Sequence, residues 1–194
     1  TRPERTTMSR STTSKPRWAL LALAAATATA TLALAAPALA ASNGQTGFGF
    51  NAAEISGFPA GAVSLTGGGA FNPGTGFVHS GGGFRCTKDV AGMVPLNGCL
   101  AGQGVRWDTE ELLASTGFKC TGAASEARKT ATTGDGTVVL QSDFYRAGDG
   151  IDESFHAQLI VSQADIAPDI PGIQNVWVQG VGCGSAIVDF SSPS

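Results

Sequence analysis

The sequence predicts an all-β fold, a single-domain barrel or sandwich of about eight antiparallel strands, stapled by disulfides and carrying one short helix. Segments in which apolar and polar residues alternate recur along the chain, and clusters of glycine, proline and asparagine separate them. All four cysteines fall in the same part of the sequence as these segments. Strands, turns and cross-links therefore point to one compact β domain.

Residues 1–40 are predicted to be a secretory signal and not part of the fold. Basic residues within Arg10–Arg17 precede the apolar run 18–36, and Ala-Leu-Ala at 38–40 is a small-residue pattern typical of a cleavage site. We expect translation to start at Met8 and cleavage to follow Ala40. A membrane anchor is the alternative, but the alanine and threonine content makes the run weakly hydrophobic.

The mature domain, residues 41–194, is acidic. It holds seven Lys and Arg residues against fourteen Asp and Glu residues, a formal charge of −7, because the signal carries five of the basic residues. No basic patch remains to neutralise phosphates, which argues against nucleic acid and anionic lipid as partners. We expect a bacterial protein that is secreted or associated with the cell envelope, with no stable membrane anchor after cleavage.

Residues 62–86 form the first predicted hairpin. The sequence Asn-Pro-Gly-Thr-Gly at 72–76 supplies the turn, and the glycine triplets 67–69 and 81–83 lie on either side of it, where they would face each other. Glycines in strands mark bulges, bends or the close approach of another group. We interpret the triplets as barrel corners or tight packing, and a ligand on this bare patch is the alternative.

The four cysteines predict two disulfides, because an exported chain matures in an oxidising compartment. Three pairings are possible for four cysteines. We favour Cys86 with Cys99, which closes the loop 87–98, and Cys120 with Cys183, which ties the last strand to the middle of the chain. A zinc site of cysteines is disfavoured because the sequence has no C-x-x-C pair.

A short helix is predicted over Thr109–Ser115. Asp108 followed by Glu111 resembles a capping box, and Leu112 and Leu113 come directly after it.

The strongest strand pattern lies in residues 137–162, two alternating segments joined by a turn-rich stretch. If Phe144 lies opposite Phe155, apolar positions meet apolar positions along one whole face of the hairpin. The other face is mostly polar and pairs Asp143 with His156. A slip of one residue would turn every side chain to the wrong face.

The last part of the chain is predicted to complete the sheet. Residues 162–172, which include Pro168 and Pro171, form a loop or a single helical turn, and 176–181 and 186–190 form the closing strands.

Few residues are candidates for chemistry. Asp143 and His156 are the one candidate acid–base pair, and we interpret them as a cross-strand ion pair with a catalytic role as the alternative. Asp149, Asp152 and Glu153 at the hairpin turn are weak candidate calcium ligands, because their spacing is not that of an EF-hand. We expect no cofactor.

Three aromatic side chains, those of Trp107, Tyr145 and Trp177, could line a carbohydrate or apolar-ligand surface. We interpret them as packing, which is the commoner role of half-buried aromatics in β domains.

Three functions from different classes remain open. The favoured one is a secreted, non-catalytic binding or envelope-associated domain whose partner is an extracellular protein or a glycan. The second is a protease inhibitor that presents the disulfide-closed loop 87–98, with Lys88 or Met93 in the specificity pocket. The third is a small hydrolase or isomerase that uses Asp143 and His156. The absence of catalytic motifs favours a protein that is not an enzyme.

Overall fold

The structure is a computed structural model that describes residues 44–57, 61–90, 96, 98–147 and 152–191. Within these residues the chain forms ten strands. They are β1 (Thr46–Gly57), β2 (Ala62–Asn72), β3 (Phe77–Lys88), β4 (Arg106–Leu112), β5 (Ser115–Phe118), β6 (Lys129–Thr132), β7 (Thr137–Ala147), β8 (Asp152–Ser162), β9 (Val176–Val178) and β10 (Gly182–Phe190).

Eight of these strands close an antiparallel barrel in the order β1-β10-β9-β8-β7-β4-β3-β2, while β5 and β6 form a separate two-stranded sheet. The all-β prediction is confirmed, and the architecture is a barrel and not a sandwich. The predicted signal segment, the start at Met8 and the cleavage after Ala40 lie outside the described residues and stay predictions.

The β7–β8 hairpin has the register predicted from its sequence. Phe144 pairs with Phe155 and Asp143 pairs with His156 as Cα partners. Phe144 is fully buried, whereas His156 is exposed. The alternation of apolar and polar residues therefore assigns one face of the hairpin to the barrel interior and the other to the outside.

The first strand, β1, was not predicted, although its sequence carries a strand signal. Phe48 and Phe50 alternate with Gly47 and Gly49, and both phenylalanines are buried. β1 pairs with β2 on one side and with β10 on the other, so it closes the barrel. The strand was missed because its outward positions are glycines, so the alternation of side chains shows only in the large residues at the inward positions.

Large side chains fill the barrel interior. The buried members include Phe50, Leu65, Phe71, Phe84, Trp107, Leu140, Phe144 and Leu159. The rings pack on one another: the ring of Phe144 lies edge-on to Phe84 at 5.2 Å between centroids and stacks on Phe155 at 5.8 Å. Such ring pairs add to the stabilisation that burial of their area provides.

The glycine triplets leave room for Trp107. Gly67 and Gly82 are Cα partners on β2 and β3, and a Cβ atom would lie 2.3 Å from Cζ2 of Trp107 at Gly67 and 2.8 Å from its Nε1 at Gly82. The indole Nε1 donates a hydrogen bond of 3.0 Å to the carbonyl oxygen of Thr66. The interpretation as tight packing is confirmed, and Trp107 belongs to the core.

A second apolar cluster lies on the outer wall of the barrel. Val139 and Ile160 point outward from β7 and β8, yet both are fully buried because Phe118 of β5 and Ala131 of β6 belong to the same cluster. Trp177 is also buried there and donates a hydrogen bond of 2.9 Å to the carbonyl oxygen of Lys119. The small β5–β6 sheet therefore covers part of the wall.

Both predicted disulfides are confirmed. Cys86 is bonded to Cys99, and Cys120 is bonded to Cys183, with Cα–Cα distances of 6.3 Å and 4.7 Å. The first bond closes the segment after β3, and the second joins the segment after β5 to β10. Two disulfides fit a domain that matures in an oxidising environment.

The predicted helix over Thr109–Ser115 is wrong. Residues Arg106–Leu112 form β4, and no helix occurs in the part of the chain that the structure describes. Trp107 pairs with Phe144 and Leu112 with Leu140, so strand pairing with β7 buries the apolar residues of this segment better than a short isolated helix could. None of the described segments is a helix of sufficient length and apolar character to cross a membrane.

Candidate functional site

The candidate site is a polar surface on the outside of three neighbouring strands, β4, β7 and β8. We call it the polar face. Its side chains are those of Arg106, Asp108, Glu110, Glu111, Gln141, Asp143, Tyr145, His156 and Gln158. They point outward because their neighbours in sequence point into the barrel core.

Glu110, Asp143 and His156 form a compact cluster within the polar face. Each strand supplies one of the three residues, and one potential ligand atom from each lies within 4.8 Å of the others. Oε2 of Glu110 lies 2.8 Å from Nδ1 of His156. The side chains of His156 and Glu110 are 59% and 43% exposed, so the cluster is open to solvent.

A β-bulge in β4 places Glu110 in this cluster. Thr109 pairs with Ser142 and Glu111 with Gln141, which leaves Glu110 without a Cα partner on β7. The extra residue keeps Glu110 and Glu111 together on the outer side, since a bulge sets two residues against one on the neighbouring strand.

Glu110 was missed at the sequence level because its segment was predicted to be a helix. A signal was nevertheless present. Trp107 and Leu112 both point into the barrel, although their residue numbers differ by an odd number. In a regular strand such residues point to opposite faces, so this spacing requires a bulge between them.

Tyr145 supports the carboxylate of Asp143. Its hydroxyl lies beside the Asp143 carboxylate, and hydrogen bonding to that carboxylate together with its negative charge raises the pKa of Tyr145. The guanidinium of Arg106 lies 4.7 Å from the centre of the Tyr145 ring and 3.6 Å from the carboxylate of Asp108. Arg106 thus covers one side of the ring.

The Oδ1 atom of Asp143 is buried and has no hydrogen-bond partner among the described residues. A buried carboxylate oxygen without a donor is unfavourable, because it has lost its hydration without compensation.

The structure brings together the two residues predicted as an acid–base pair. Asp143 and His156 face each other across β7 and β8, as expected from the register. The hydrogen-bond partner of the His156 imidazole, however, is the carboxylate of Glu110 on β4. A catalytic role for Asp143 and His156 stays a prediction.

Of the candidate calcium ligands, only the backbones of Asp152 and Glu153 are described. Asp149 is not among the described residues, and Asp152 and Glu153 begin β8, where their backbones pair with Ala147 and Arg146. Calcium binding by these residues stays a prediction.

The loop proposed for protease inhibition is described only at its ends. Val90 and Leu96 are buried, and the backbone N–H of Val90 donates to the carbonyl oxygen of Cys99 at 2.8 Å. Lys88 belongs to β3, and its ammonium lies 3.2 Å from a carboxylate oxygen of Glu54. Met93 lies outside the described residues.

Two surface cavities lie elsewhere in the described part of the domain. One, of about 370 Å³, is lined by the Cys120–Cys183 bond and by Ile170 and Ile173, with Glu54 at its edge. The other, of about 360 Å³, is lined by Leu112, Leu113 and small neighbours and has no titratable side chain. Neither brings several titratable groups together as the polar face does.

Comparison with family models, with curated proteins and with solved structures finds no match.

Proposed function

We propose that this chain is a secreted, non-catalytic binding domain that recognises a basic segment of an extracellular protein through the polar face. The observation that carries the proposal is the gathering of four carboxylates, those of Asp108, Glu110, Glu111 and Asp143, on adjacent strands. Opposite charges on two surfaces speed their association and select the partner.

The packing of the barrel supports a binding site on the outside. Small barrels that hold a ligand do so in their interior, whereas aromatic and aliphatic side chains fill the interior of this one. A partner therefore has to contact the wall, its ends or the covering sheet. On β3, the strand next to the polar face, Gly81 and Gly83 pair with Asp108 and Arg106, so no side chain stands beside these charged residues to block an extended segment.

The exposure of the polar face favours binding over catalysis. Active sites are concave and exclude water around the reacting groups, which strengthens the electrostatic interactions within them. The side chain of His156 is 59% exposed, and its contact with Glu110 lies on a sheet surface.

The test is binding of the purified protein to an array of Lys- and Arg-rich peptides, with acidic peptides and a glycan array as comparisons and EDTA in the buffer. Replacing Glu110→Gln and Glu111→Gln together is expected to weaken peptide binding about fivefold, because two exposed ion pairs contribute roughly 1 kcal/mol in all.

The matched control variant combines Asp135→Asn with Asp189→Asn, two exposed residues outside the polar face. It changes the net charge equally and is expected to bind as the unmodified protein does. Equal weakening by both variants, or binding to glycans but to no basic peptide, would overturn the proposed partner class.

A further inference from the structure

We propose that Glu110, Asp143 and His156 bind a divalent transition-metal ion, of which Zn²⁺ is the representative, on the outer wall of the barrel. The site takes one ligand from each of three hydrogen-bonded strands, β4, β7 and β8. Rigid strands hold the backbones of all three residues at fixed separations, which is the arrangement that makes metal sites well defined.

The distances suit an ion after small side-chain rotations. The three ligand atoms lie within 4.8 Å of one another, and zinc binds nitrogen and carboxylate oxygen at about 2.0–2.2 Å. Glu110 has the longer of the two carboxylate side chains in the cluster, and its Oε2 already lies 2.8 Å from Nδ1 of His156. Any proton on the ligating nitrogen leaves to solvent when the ion binds.

Asp143 provides an independent indication of a cation. Its Oδ1 atom is buried and has no hydrogen-bond donor among the described residues, although the hydroxyl of Tyr145 lies beside the same carboxylate. A metal ion would compensate the charge of this carboxylate where hydrogen bonds leave it under-satisfied. The Tyr145 hydroxyl would then serve as the outer-sphere donor that orients a ligating carboxylate.

The donor set selects the class of ion. One imidazole and two carboxylates suit zinc and its neighbours, whereas Ca²⁺ and Mg²⁺ prefer oxygen ligands alone and Cu(I) prefers sulfur. The two carboxylate charges match a divalent ion. Water can fill the remaining coordination positions because Glu110 and His156 are partly exposed.

The site differs from the calcium site considered at the hairpin turn, with which it shares no residue. Asp108 and Glu111 are not ligands, so the polar face keeps acidic groups when the ion is bound. Zinc and a basic segment would compete for the carboxylates of Glu110 and Asp143, so the zinc titration uses the protein without a peptide partner.

Isothermal titration of the purified, untagged protein with ZnCl₂ tests the site. One bound ion per chain is expected, and Ca²⁺ at the same concentrations is expected to bind at least tenfold more weakly. His156→Ala is expected to weaken zinc binding by about tenfold or more, as loss of a ligand does more damage than loss of an outer-sphere partner.

His79→Ala is the matched control, because the chain has only two histidines and His79 is also exposed, on β3. It is expected to leave zinc binding unchanged. Thermal melts without metal show whether each variant is folded, and Asp143→Asn and Glu110→Gln provide nearly isosteric replacements if His156→Ala lowers stability.

A second readout comes from ¹H–¹⁵N correlation spectra of the imidazole rings. Zinc is expected to shift the ring nitrogens of His156 and not those of His79. Absence of zinc binding, binding that survives in the His156, Asp143 and Glu110 variants alike, or zinc-induced shifts confined to His79 would overturn the proposal.

Discussion

Glu126 is the most completely satisfied charged residue in the described structure. Its side chain is only 4% exposed, and its carboxylate accepts hydrogen bonds from the backbone N–H groups of Cys120, Thr121 and Gly122. The ammonium of Lys129 adds a contact of 3.0 Å. The residue thus fixes the loop that connects β5 to β6.

These contacts predict how stability depends on pH. Burial alone would raise the pKa of Glu126, but hydrogen bonds from Thr121, Cys120 and Lys129 outweigh burial and lower it from 4.5 to about 2. A lowered folded-state pKa stabilises the protein above the unfolded value, and this stabilisation is lost as the pH falls from 4.5 toward 2.

Glu126→Gln is therefore expected to lower the free energy of unfolding at pH 7 by roughly 2 to 3 kcal/mol, and by much less near pH 2. Urea melts at the two pH values measure the difference. The exposed Asp135→Asn variant is the control and is expected to change stability by under about 0.5 kcal/mol at both. A cost for Glu126→Gln that does not depend on pH would contradict the described contacts.

The glycines beside Trp107 give a second prediction at the scale of single residues. Gly67→Ala would set a methyl group against the indole at 2.3 Å, whereas a Cβ atom at Gly49 meets nothing within 4 Å. Overpacking predicts that Gly67→Ala costs about 1 to 3 kcal/mol and that Gly49→Ala changes little. Thermal melts and Trp107 fluorescence measure both; equal effects would mean that the indole does not lie on Gly67.

Among the elements, the β7–β8 hairpin was the most predictable from sequence. Its strands alternate except at the aliphatic end, where Val139 and Ile160 lie on the outer face, and a slip of one residue would set apolar positions against polar ones. The glycine-rich hairpin of β2 and β3 was predicted from its turn sequence, but its register was not: Gly67 and Gly68 pair with Gly82 and Gly81, whereas Gly69 pairs with Ser80.

β4 shows what the sequence could not reveal. Asp108, Glu111 and the leucines after them have local features of a helix start, and those features were misleading because strand pairing with β7 decides the conformation. The bulge at Glu110 depends on the same pairing. The sequence therefore predicted that Asp143 and His156 lie side by side, but it did not predict that Glu110 joins them.

The assignment of faces on the hairpin is testable by mutation. Phe144 packs in the barrel among Phe84, Trp107 and Phe155, so Phe144→Ala is expected to cost about 3 to 5 kcal/mol. Asp143 lies on the outer face, and Asp143→Ala is expected to cost under about 1 kcal/mol. Denaturant melts of the two variants decide the matter, and similar costs would indicate a wrong register.

At the scale of the whole molecule, two apolar clusters occupy the barrel interior and part of its wall, and two disulfides fasten the segments outside the barrel. The filled interior leaves the outside of β4, β7 and β8 as the surface where charged groups converge. The strands supply a rigid support there, and the bulge in β4 supplies the third member of the cluster.

Diffraction at the zinc absorption edge, from crystals grown with ZnCl₂, tests most directly whether Glu110, Asp143 and His156 form a metal site on this surface. The arrangement predicts an anomalous peak bonded to Glu110, Asp143 and His156 at about 2.0–2.2 Å. A peak at His79 or at a lattice contact, with none at this cluster, would contradict it.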